Sequence, residues 1–327
     1  MMIQRDSPAG IKDANSMTSK GRFDIKTLLF TTTISIAYLL LSAWLVGFKT
    51  DQLWLVVIFN ACYYFSWHTR HLITGFSIFI VYWVLFDYMK AFPNYLYNTV
   101  HIKDLYEAEK SLFGVVVNGV KVTPNEYWLS HSQSWIDIMS GIFYLCWVPV
   151  PLIFAAYLFY NDREAFIHFS ATFLLVNLVG FVIYYIYPAA PPWYVQLHGF
   201  DFIAHTPGNP AGLTRFDQHM NANIFTALYS KSSNVFAAMP SLHSAYPLVV
   251  LYYSRHHMKV AFQALFAVIA VGIWFSAVYN SHHYVLDVAA GIICAAATII
   301  FYRRVLMHTT WYKKGVAKFF VLVNTIR

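Results

Sequence analysis

The stretch AAMPSLHSAYPLVV, residues 237–250, decides how the rest of the chain is interpreted. It begins like a helix entering a membrane, because Pro240 and Ser241 are followed by a mostly apolar run. Yet a titratable side chain, His243, lies in the first turn of that run. An ionisable ring at the entrance of an apolar helix points to chemistry, and the remaining sequence shows which other groups reach the same depth.

The composition of the chain is that of a membrane protein. Of its 327 residues, 58% are apolar and only 11% are charged, whereas soluble domains carry about a quarter charged residues. Apolar runs long enough to cross a bilayer as helices recur along the chain. We therefore predict an all-α, multi-pass transmembrane helix bundle. Cys62, Cys146 and Cys294 lie within apolar runs, so we expect buried thiols and no disulfide framework.

Eight membrane spans are predicted from the apolar runs. They cover residues 27–48, 52–67, 72–92, 134–160, 165–187, 238–254, 260–279 and 283–302. The chain then divides into an N-terminal segment (1–26), N-terminal helices with an outer loop (27–133), a core (134–304) and an interfacial tail (305–327). Segment 102–113 places its apolar side chains on one helical face, which predicts an amphipathic helix on the outer surface.

The basic residues predict the orientation of these spans. With eight spans, 15 of the 22 Lys and Arg residues fall on the side that holds both termini, and 7 fall on the other side. The basic-rich side is expected to be cytoplasmic, so the long loops 93–133 and 188–237 lie outside. The net charge of +7 is thereby explained without nucleic acid, and we expect no nucleic-acid partner.

This orientation gathers chemically capable side chains at the outer face. His243 begins one span from that side, and NSHHYVLDVAAG (280–291) begins the last span. His283 and Asp287 are four residues apart and therefore share a helix face. A carboxylate that holds an imidazole fixes its tautomer and makes the far nitrogen more basic. His283 is therefore a candidate nucleophile and His243 a candidate acid, the pattern of two-step covalent catalysis.

Phosphorus is the electrophile that suits this arrangement. A helix that begins at Pro240 and Ser241 offers free N–H groups to an anion. Arg215 is the single arginine on the outer side, and arginine suits phosphate through paired hydrogen bonds. The remaining candidate ligands for phosphate or a polar headgroup are Ser241, His282, Asp217, Asp137, Asp87 and Lys231. Two alternatives stay open: His282 as an interfacial ring, and Asp87 and Asp137 as acids reaching headgroup water.

At these residues the chain resembles the superfamily of type 2 phosphatidic acid phosphatases. Within it, the chain is most similar to the inositol phosphorylceramide synthases and related inositolphosphotransferases. The segments that carry the resemblance are MPSLHS (239–244), HHYVLD (282–287), YPAAPPWY (187–194), GLTRFD (212–217) and, more loosely, DLYEAEKSLFG (104–114). The resemblance covers roughly residues 130–300, with segment 104–114 as a looser part outside that range.

The resemblance implies a fold and a set of roles. It implies a six-helix core with an outward or lumenal active site, which agrees with the orientation derived from the basic residues. His283 would be the nucleophile, Asp287 its partner and His243 the proton shuttle. The resemblance implies no metal, and we expect no cofactor.

Two departures from the phosphatases of the superfamily bear on the substrate. Those enzymes have Ser-Arg seven and six residues before the nucleophilic histidine, where this chain has Ser276 and Ala277. Their Lys-then-Arg-Pro first motif is also absent before YPAAPPWY. Both departures favour the inositolphosphotransferase branch. They leave open which cations hold the phosphate, and we assign Arg215 with Lys231 behind it.

The sequence therefore predicts a membrane lipid phosphotransferase. It would move phosphoinositol from an inositol phospholipid to ceramide or a related sphingoid acceptor through a phosphohistidine, releasing diacylglycerol. The alternatives are a lipid phosphate phosphatase with water as the acceptor, a polytopic lipid transporter, and a metal hydrolase using His243, His282, His283 and Asp287. Short loops favour a bacterial inner membrane with a periplasm-facing site over a Golgi membrane with a lumenal site. The oligomeric state is left open.

Overall fold

The computed structural model describes residues 23–231 and 234–324. Residues 1–22 of the predicted N-terminal segment and residues 325–327 of the predicted tail lie outside the described residues. Two compact units make up the chain, one ending at Thr74 and the other running from Gly75 to Asn324. Every residue of the candidate site belongs to the second unit.

The described chain is predominantly helical, which confirms the predicted all-α class. The helices are α1 Ile25–Val46, α2 Thr50–Phe65, α3 Trp67–Tyr88, α4 Lys103–Phe113, α5 Pro124–Ser130, α6 Ser134–Leu145, α7 Pro149–Asn161, α8 Arg163–Ile186, α9 Pro192–His198, α10 Leu213–His219, α11 Ile224–Tyr229, α12 Leu242–His257, α13 Val260–Tyr279, α14 Val285–Arg304 and α15 Thr310–Asn324. Short 3-10 turns cover Met89–Ala91, Asn94–Leu96 and Leu306–His308.

One small hairpin interrupts the helices and was not predicted. Strand β1 (Val115–Val117) pairs antiparallel with β2 (Val120–Val122). Asn118 and Gly119 form its turn, and both have positive φ, 50° and 80°. Asn-Gly is the favoured pair for a two-residue hairpin turn because both residues tolerate positive φ. The sequence signal was therefore present between α4 and α5.

Among the described residues, six segments are long and apolar enough to cross a membrane, so the chain is an integral membrane protein. They are Ile25–Val46, Trp67–Ala91, Ser134–Asn161, Arg163–Ile186, Val260–Tyr279 and Val285–His308. The other two predicted spans correspond to α2 and α12, which have 16 residues each. A helix of that length extends about 24 Å, which is shorter than a hydrocarbon core of about 30 Å. Six of the eight predicted spans therefore meet the criteria of length and apolarity, and the two 16-residue helices do not.

The predicted span 134–160 is divided into two helices. α6 ends at Leu145 and α7 begins at Pro149. Proline has no backbone N–H and restricts the residue before it, so a helix rarely continues through it unchanged. The break contains Trp147, and the last turn of α6 contains Tyr144. Both side chains reach the candidate site because the helix is interrupted there.

Helix α12 occupies the centre of the second unit and packs against α8, α13 and α14. Its residues Tyr246, Val249 and Val250 are buried by these neighbours. α14 comes close to the start of α12 because Gly291 has no side chain: a Cβ at this position would lie 2.1 Å from the carbonyl oxygen of Ser241. This close approach sets the separation of the two helices that carry the histidine motifs.

Candidate active site

Two imidazoles meet where α12 and α14 begin. His243 is the second residue of α12, and His283 lies two residues before α14. Nδ1 of His243 is 3.1 Å from Nε2 of His283 and 3.1 Å from the hydroxyl of Tyr144. The ring of Trp147 packs edge-on against His243, with centroids 4.4 Å apart. The structure thus brings together two histidines that are 40 residues apart in sequence.

A tight turn between α13 and α14 positions His283. Ser281 has a φ of 59°, in the left-handed region. The backbone N–H groups of His282 and His283 both donate to the carbonyl of Ala277, each at 3.0 Å. The side-chain amide of Asn125 donates to the His283 carbonyl at 2.9 Å. The backbone of the turn is therefore held from two sides.

A backbone carbonyl, rather than a carboxylate, orients the His283 ring. Nδ1 of His283 lies 3.0 Å from the carbonyl oxygen of Ala238 and 3.6 Å from Oδ2 of Asp287. Only the first distance is that of a hydrogen bond. Because a carbonyl accepts and cannot donate, Nδ1 carries the proton and Nε2 presents its lone pair to His243. In this structure the Ala238 carbonyl therefore accepts the Nδ1 hydrogen bond, and Asp287, the predicted partner of His283, faces the same nitrogen as an ion pair.

Asp287 contributes charge and helix capping from a buried position. It is fully buried, and its Oδ2 accepts the backbone N–H of Tyr284 at 2.8 Å. Its own backbone carbonyl accepts the N–H of Ser241 at 2.9 Å, which joins the starts of α14 and α12. A negative charge 3.6 Å from the His283 ring stabilises positive charge on that ring. Asp287 thus suits a ring that becomes cationic when Nε2 bonds to another atom.

A cavity of about 130 Å³ adjoins the histidines. Much of its wall consists of aromatic and aliphatic side chains. The polar members of the wall, apart from tyrosines, are His243, His282, His283, Asn209 and Asn234. Within residues 23–231 and 234–324, no Lys, Arg, Asp or Glu side chain lines this cavity. The electrostatic character of the site is therefore set by imidazoles, amides and helix ends.

His282 lines the cavity as a neutral ring. It stacks on Tyr229, with centroids 4.4 Å apart, and Nε2 donates to the carbonyl of Pro210 at 2.9 Å. Burial, with a smaller contribution from the neighbouring His283, lowers the pKa of His282 to about 3. At neutral pH, His282 therefore carries no positive charge for a phosphate, and its contacts fix the wall of the cavity.

Arg215 and Asp137, two of the predicted ligands, are paired with each other. Nε of Arg215 donates to Oδ1 of Asp137 at 2.6 Å, and the Tyr279 hydroxyl donates to the same oxygen at 2.7 Å. Asp137 is only 3% exposed, so the guanidinium compensates a buried negative charge. Neither side chain lines the cavity, so the pair lies outside the cavity wall in this structure.

Asp217 and Ser241 are occupied as helix caps. The Asp217 carboxylate accepts three successive backbone N–H groups at the start of α11, at 3.1, 3.1 and 2.9 Å. Oγ of Ser241 accepts the N–H of Ser244 at 3.3 Å and the Ser244 hydroxyl at 3.0 Å. Caps of this kind satisfy the first N–H groups of a helix. The structure thus gives both side chains a structural position outside the cavity wall.

The last two predicted ligands, Asp87 and Lys231, also lie away from the cavity wall. Asp87 accepts a hydrogen bond from Lys90 at 2.7 Å, near the end of α3. Lys231 is exposed after α11. Of the ten predicted site residues, the cavity wall therefore contains His243, His282 and His283, and Asp287 supports them from behind.

Comparisons with known proteins show the family to which the chain belongs. The family model described as PAP2 superfamily matches residues 103–301. The chain belongs to this superfamily. The match confirms the family that the histidine motifs indicate, and it runs from the first residue of α4 into α14. Both histidine motifs and the whole cavity wall from Trp147 onward lie inside it.

Three curated relatives have names that describe sphingolipid synthesis. A Bacteroides thetaiotaomicron protein named phosphoinositol dihydroceramide synthase is 41% identical over 91% of this chain and 99% of its own length. The Candida albicans inositol phosphorylceramide synthase is 33% identical over 45% of this chain and 33% of its own. The Saccharomyces cerevisiae inositol phosphorylceramide synthase catalytic subunit is 30% identical over 65% of this chain and 52% of its own. No solved structure matches the chain.

Glu109, on the first helix of the PAP2 superfamily match, is a site-supporting residue that sequence analysis missed. Its carboxylate accepts the backbone N–H groups of Val285 at 2.9 Å and Leu286 at 3.0 Å, so it caps α14. Glu109 is fully buried, and burial raises its pKa to about 7. One sequence signal could have indicated this role: Glu109 comes four residues after Leu105 and therefore lies on the apolar face of the helix.

Tyr144 and Trp147 were also missed, because the chain has 24 Tyr and 10 Trp, most of which suit membrane interfaces. Nothing local distinguishes these two. Among the described residues of this PAP2 superfamily member, no group of three or more His, Cys, Asp or Glu side chains is placed to hold a metal ion. The four residues of the metal-hydrolase hypothesis form an imidazole pair with a supporting carboxylate and a stacked ring.

Proposed function

We propose that this chain transfers phosphoinositol from an inositol phospholipid to a ceramide-type acceptor and releases diacylglycerol. The observation that carries the chemistry is the imidazole pair, with His243 Nδ1 and His283 Nε2 at 3.1 Å. One ring can attack phosphorus while the other moves a proton. The identity of the donor and the acceptor is supported by the full-length similarity to the protein named phosphoinositol dihydroceramide synthase.

In the first half-reaction, Nε2 of His283 attacks the phosphorus of the donor lipid, and the bond to the diacylglycerol oxygen breaks. His243 acts as an imidazolium, a form that the negative phosphodiester stabilises, and gives its Nδ1 proton to the departing oxygen. The phosphoinositol group is then bonded to His283. The Ala238 carbonyl holds the Nδ1 proton of His283 at 3.0 Å, and Asp287 offsets the positive charge of the ring from 3.6 Å.

In the second half-reaction, the primary hydroxyl of the acceptor attacks the same phosphorus. Nδ1 of His243, now without its proton, accepts the hydroxyl proton, and the bond between phosphorus and His283 breaks. The enzyme returns to its starting protonation state with inositol phosphorylceramide as product. The Tyr144 hydroxyl, 3.1 Å from Nδ1 of His243, keeps this nitrogen directed toward the reacting oxygen in both halves.

The charge of the cavity favours a phosphodiester over a phosphomonoester. A phosphomonoester approaches two negative charges at neutral pH, whereas a phosphodiester carries one. The described cavity wall has no Lys or Arg, so an imidazolium and the N-terminal end of α12 supply the positive potential. Ala277, where the phosphatases have arginine, is fully buried in an apolar cluster with Tyr144 and Phe216. These features disfavour the lipid phosphatase alternative.

We place the active site at the outer face of a bacterial inner membrane. With all eight predicted segments crossing the membrane, the excess of Lys and Arg on the side of the termini supports this orientation, and a bacterial relative aligns over 91% of the chain. The titratable groups of the site lie together at one end of α12 and α14. A transporter would need such groups near the middle of the membrane, so the transporter alternative has less support.

The test uses purified enzyme with phosphatidylinositol labelled in its inositol, with and without ceramide. We expect a labelled sphingolipid product, identified by mass spectrometry, and transient label on the protein. His283→Ala should abolish both, while His256→Ala, an exposed histidine at the opposite end of α12, should retain both. Full turnover by His283→Ala, or rapid phosphate release from phosphatidic acid without any sphingolipid product, would contradict the proposal.

A further inference from the structure

Two side-chain amides lie in the mostly apolar wall of the cavity, apart from its histidines. Asn209 comes from the loop between α9 and α10, and Asn234 from the segment that leads into α12. Both line the same cavity as His243 and His283. The proposed reaction uses the two imidazoles and assigns nothing to the amides. Their chemistry therefore concerns the part of the substrate that does not react.

Among the described residues, the buried amide nitrogen of Asn234 has no hydrogen-bond partner. An unpaired buried donor lowers the stability of a folded chain, since its bonds to water are lost and none replaces them. Such a group in a cavity beside two reactive imidazoles is expected where a bound molecule supplies the acceptor. Asn234 therefore indicates a ligand atom that accepts a hydrogen bond.

Asn209 offers a second donor, with its orientation fixed. Its Oδ1 accepts the backbone N–H of Ala211 at 2.7 Å, so the oxygen is used within the protein. Within the described part of the chain, Nδ2 of Asn209 makes no hydrogen bond, and Asn209 lines the cavity. Two donors from two different loops thus border one space.

The uncharged wall limits which phospholipid headgroup fits. Cationic headgroups favour a carboxylate or an aromatic cage, and no Asp or Glu among the described residues lines the cavity. The rings of Trp147, Trp193 and Tyr229 could form such a cage for choline. A quaternary ammonium, however, has no acceptor for an amide N–H. A ring of hydroxyl groups accepts from both amides and packs its C–H faces on aromatic rings.

We propose that Asn234 and Asn209 determine donor specificity by donating hydrogen bonds to the hydroxyl groups of a cyclic polyol headgroup. The inference rests on the proposed function, because it places the phosphate of the same lipid against His243 and His283. Inositol presents hydroxyls around its whole ring, so two donors on separate loops are satisfied at once. Headgroups with fewer hydroxyls leave one or both amides unpaired, which is a penalty against them.

The test is a competition between phosphatidylinositol and phosphatidylglycerol with ceramide as acceptor, scored by mass spectrometry of the two products. Asn234→Leu keeps a similar volume and removes the donor. We expect the preference for phosphatidylinositol to fall about tenfold, as for the loss of one hydrogen bond to substrate, while protein labelling at His283 persists. Asn161→Leu, at the exposed end of α7, is the control and should keep the wild-type preference.

Asn209→Asp provides the second variant, because Asp keeps an oxygen for Ala211 and loses the amide donor. It should also lower the preference, even if Asn234→Leu fails to fold. If each variant loses the same fraction of its activity with phosphatidylinositol as with phosphatidylglycerol, the inference is overturned and the proposed transferase function stands. Efficient use of phosphatidylcholine by Asn234→Leu would overturn it in favour of an aromatic choline cage. Absence of any inositol-containing product from the wild-type enzyme would instead refute the proposed function.

Discussion

Adding one methyl group at Gly291 tests whether the separation of α12 and α14 sets the activity. The new Cβ would lie 2.1 Å from the carbonyl oxygen of Ser241. Since carbon and oxygen atoms approach to roughly 3.3 Å, the two helices must separate locally by about 1.2 Å. The contact is to backbone, so no side-chain rotation can relieve it.

The expected loss follows from what joins the two helices at this point. The hydrogen bond of 2.9 Å from the Ser241 N–H to the Asp287 carbonyl would break, and the contact of 3.1 Å between His243 and His283 would lengthen. Misplacing reacting groups by about 1 Å costs on the order of 100-fold in rate. We therefore expect Gly291→Ala to lower kcat about 100-fold with a smaller change in KM. Overpacking should also reduce the free energy of unfolding by about 1–3 kcal/mol.

Two other glycines provide matched controls. At Gly315 in α15 a Cβ would meet nothing within 4 Å, so Gly315→Ala should keep the wild-type rate. At Gly180 the nearest atom is 2.6 Å away in the Leu242 side chain, which can change rotamer, so Gly180→Ala should have an intermediate effect. The assay is initial-rate transfer of phosphoinositol by folded protein in mixed micelles. A folded Gly291→Ala enzyme with at least half of the wild-type kcat would refute the reasoning.

Two further predictions concern Arg215 and Glu109. Arg215→Gln leaves the buried Asp137 without its cation, so we expect about 3 kcal/mol less stability with KM unchanged, and partial recovery when Asp137→Asn is added; a raised KM at wild-type stability would instead show that Arg215 binds phosphate. Burial raises the pKa of Glu109 from 4.5 to about 7, so the folded chain binds this proton more tightly than the unfolded chain does. Stability should therefore fall as the pH rises from about 4.5 to about 7, and thermal unfolding of Glu109→Gln should show a shallower fall, whereas equal slopes would contradict it.

Local patterns predicted the parts of this molecule that depend on local physics. Apolar runs identify helices because each must satisfy its own backbone inside the bilayer. The motif around His243 and the motif around His283 each lie at the start of a helix. The spacing of residues within each motif therefore predicts which of them are neighbours in space. The break at Pro149 also has a signal in the sequence, since proline lacks a backbone N–H and is favoured in the first turn of a helix.

Pairings between distant segments could not be predicted from the sequence. Arg215 and Asp137 are 78 residues apart, and only the tertiary fold shows that they neutralise each other. Asp217 caps a helix seven residues later, a use of carboxylates that no headgroup-binding motif distinguishes. The partner of His283 is the carbonyl of Ala238, and every residue has such a carbonyl. The identity of a side chain therefore cannot predict which backbone group will serve as a hydrogen-bond partner.

Arg215 and Asp137 lie outside the cavity wall, and this position strengthens the argument for transfer between lipids. A site with imidazoles and one helix N-terminus, and with no described Lys or Arg in its wall, is suited to a single negative charge. The donor lipid and the sphingolipid product are both phosphodiesters, so the same charge is present before and after transfer. Hydrolysis of a phosphomonoester would begin and end with a phosphate that approaches two negative charges, in a wall with no described Lys or Arg to hold it. The electrostatics of the cavity therefore match an exchange of one ester for another.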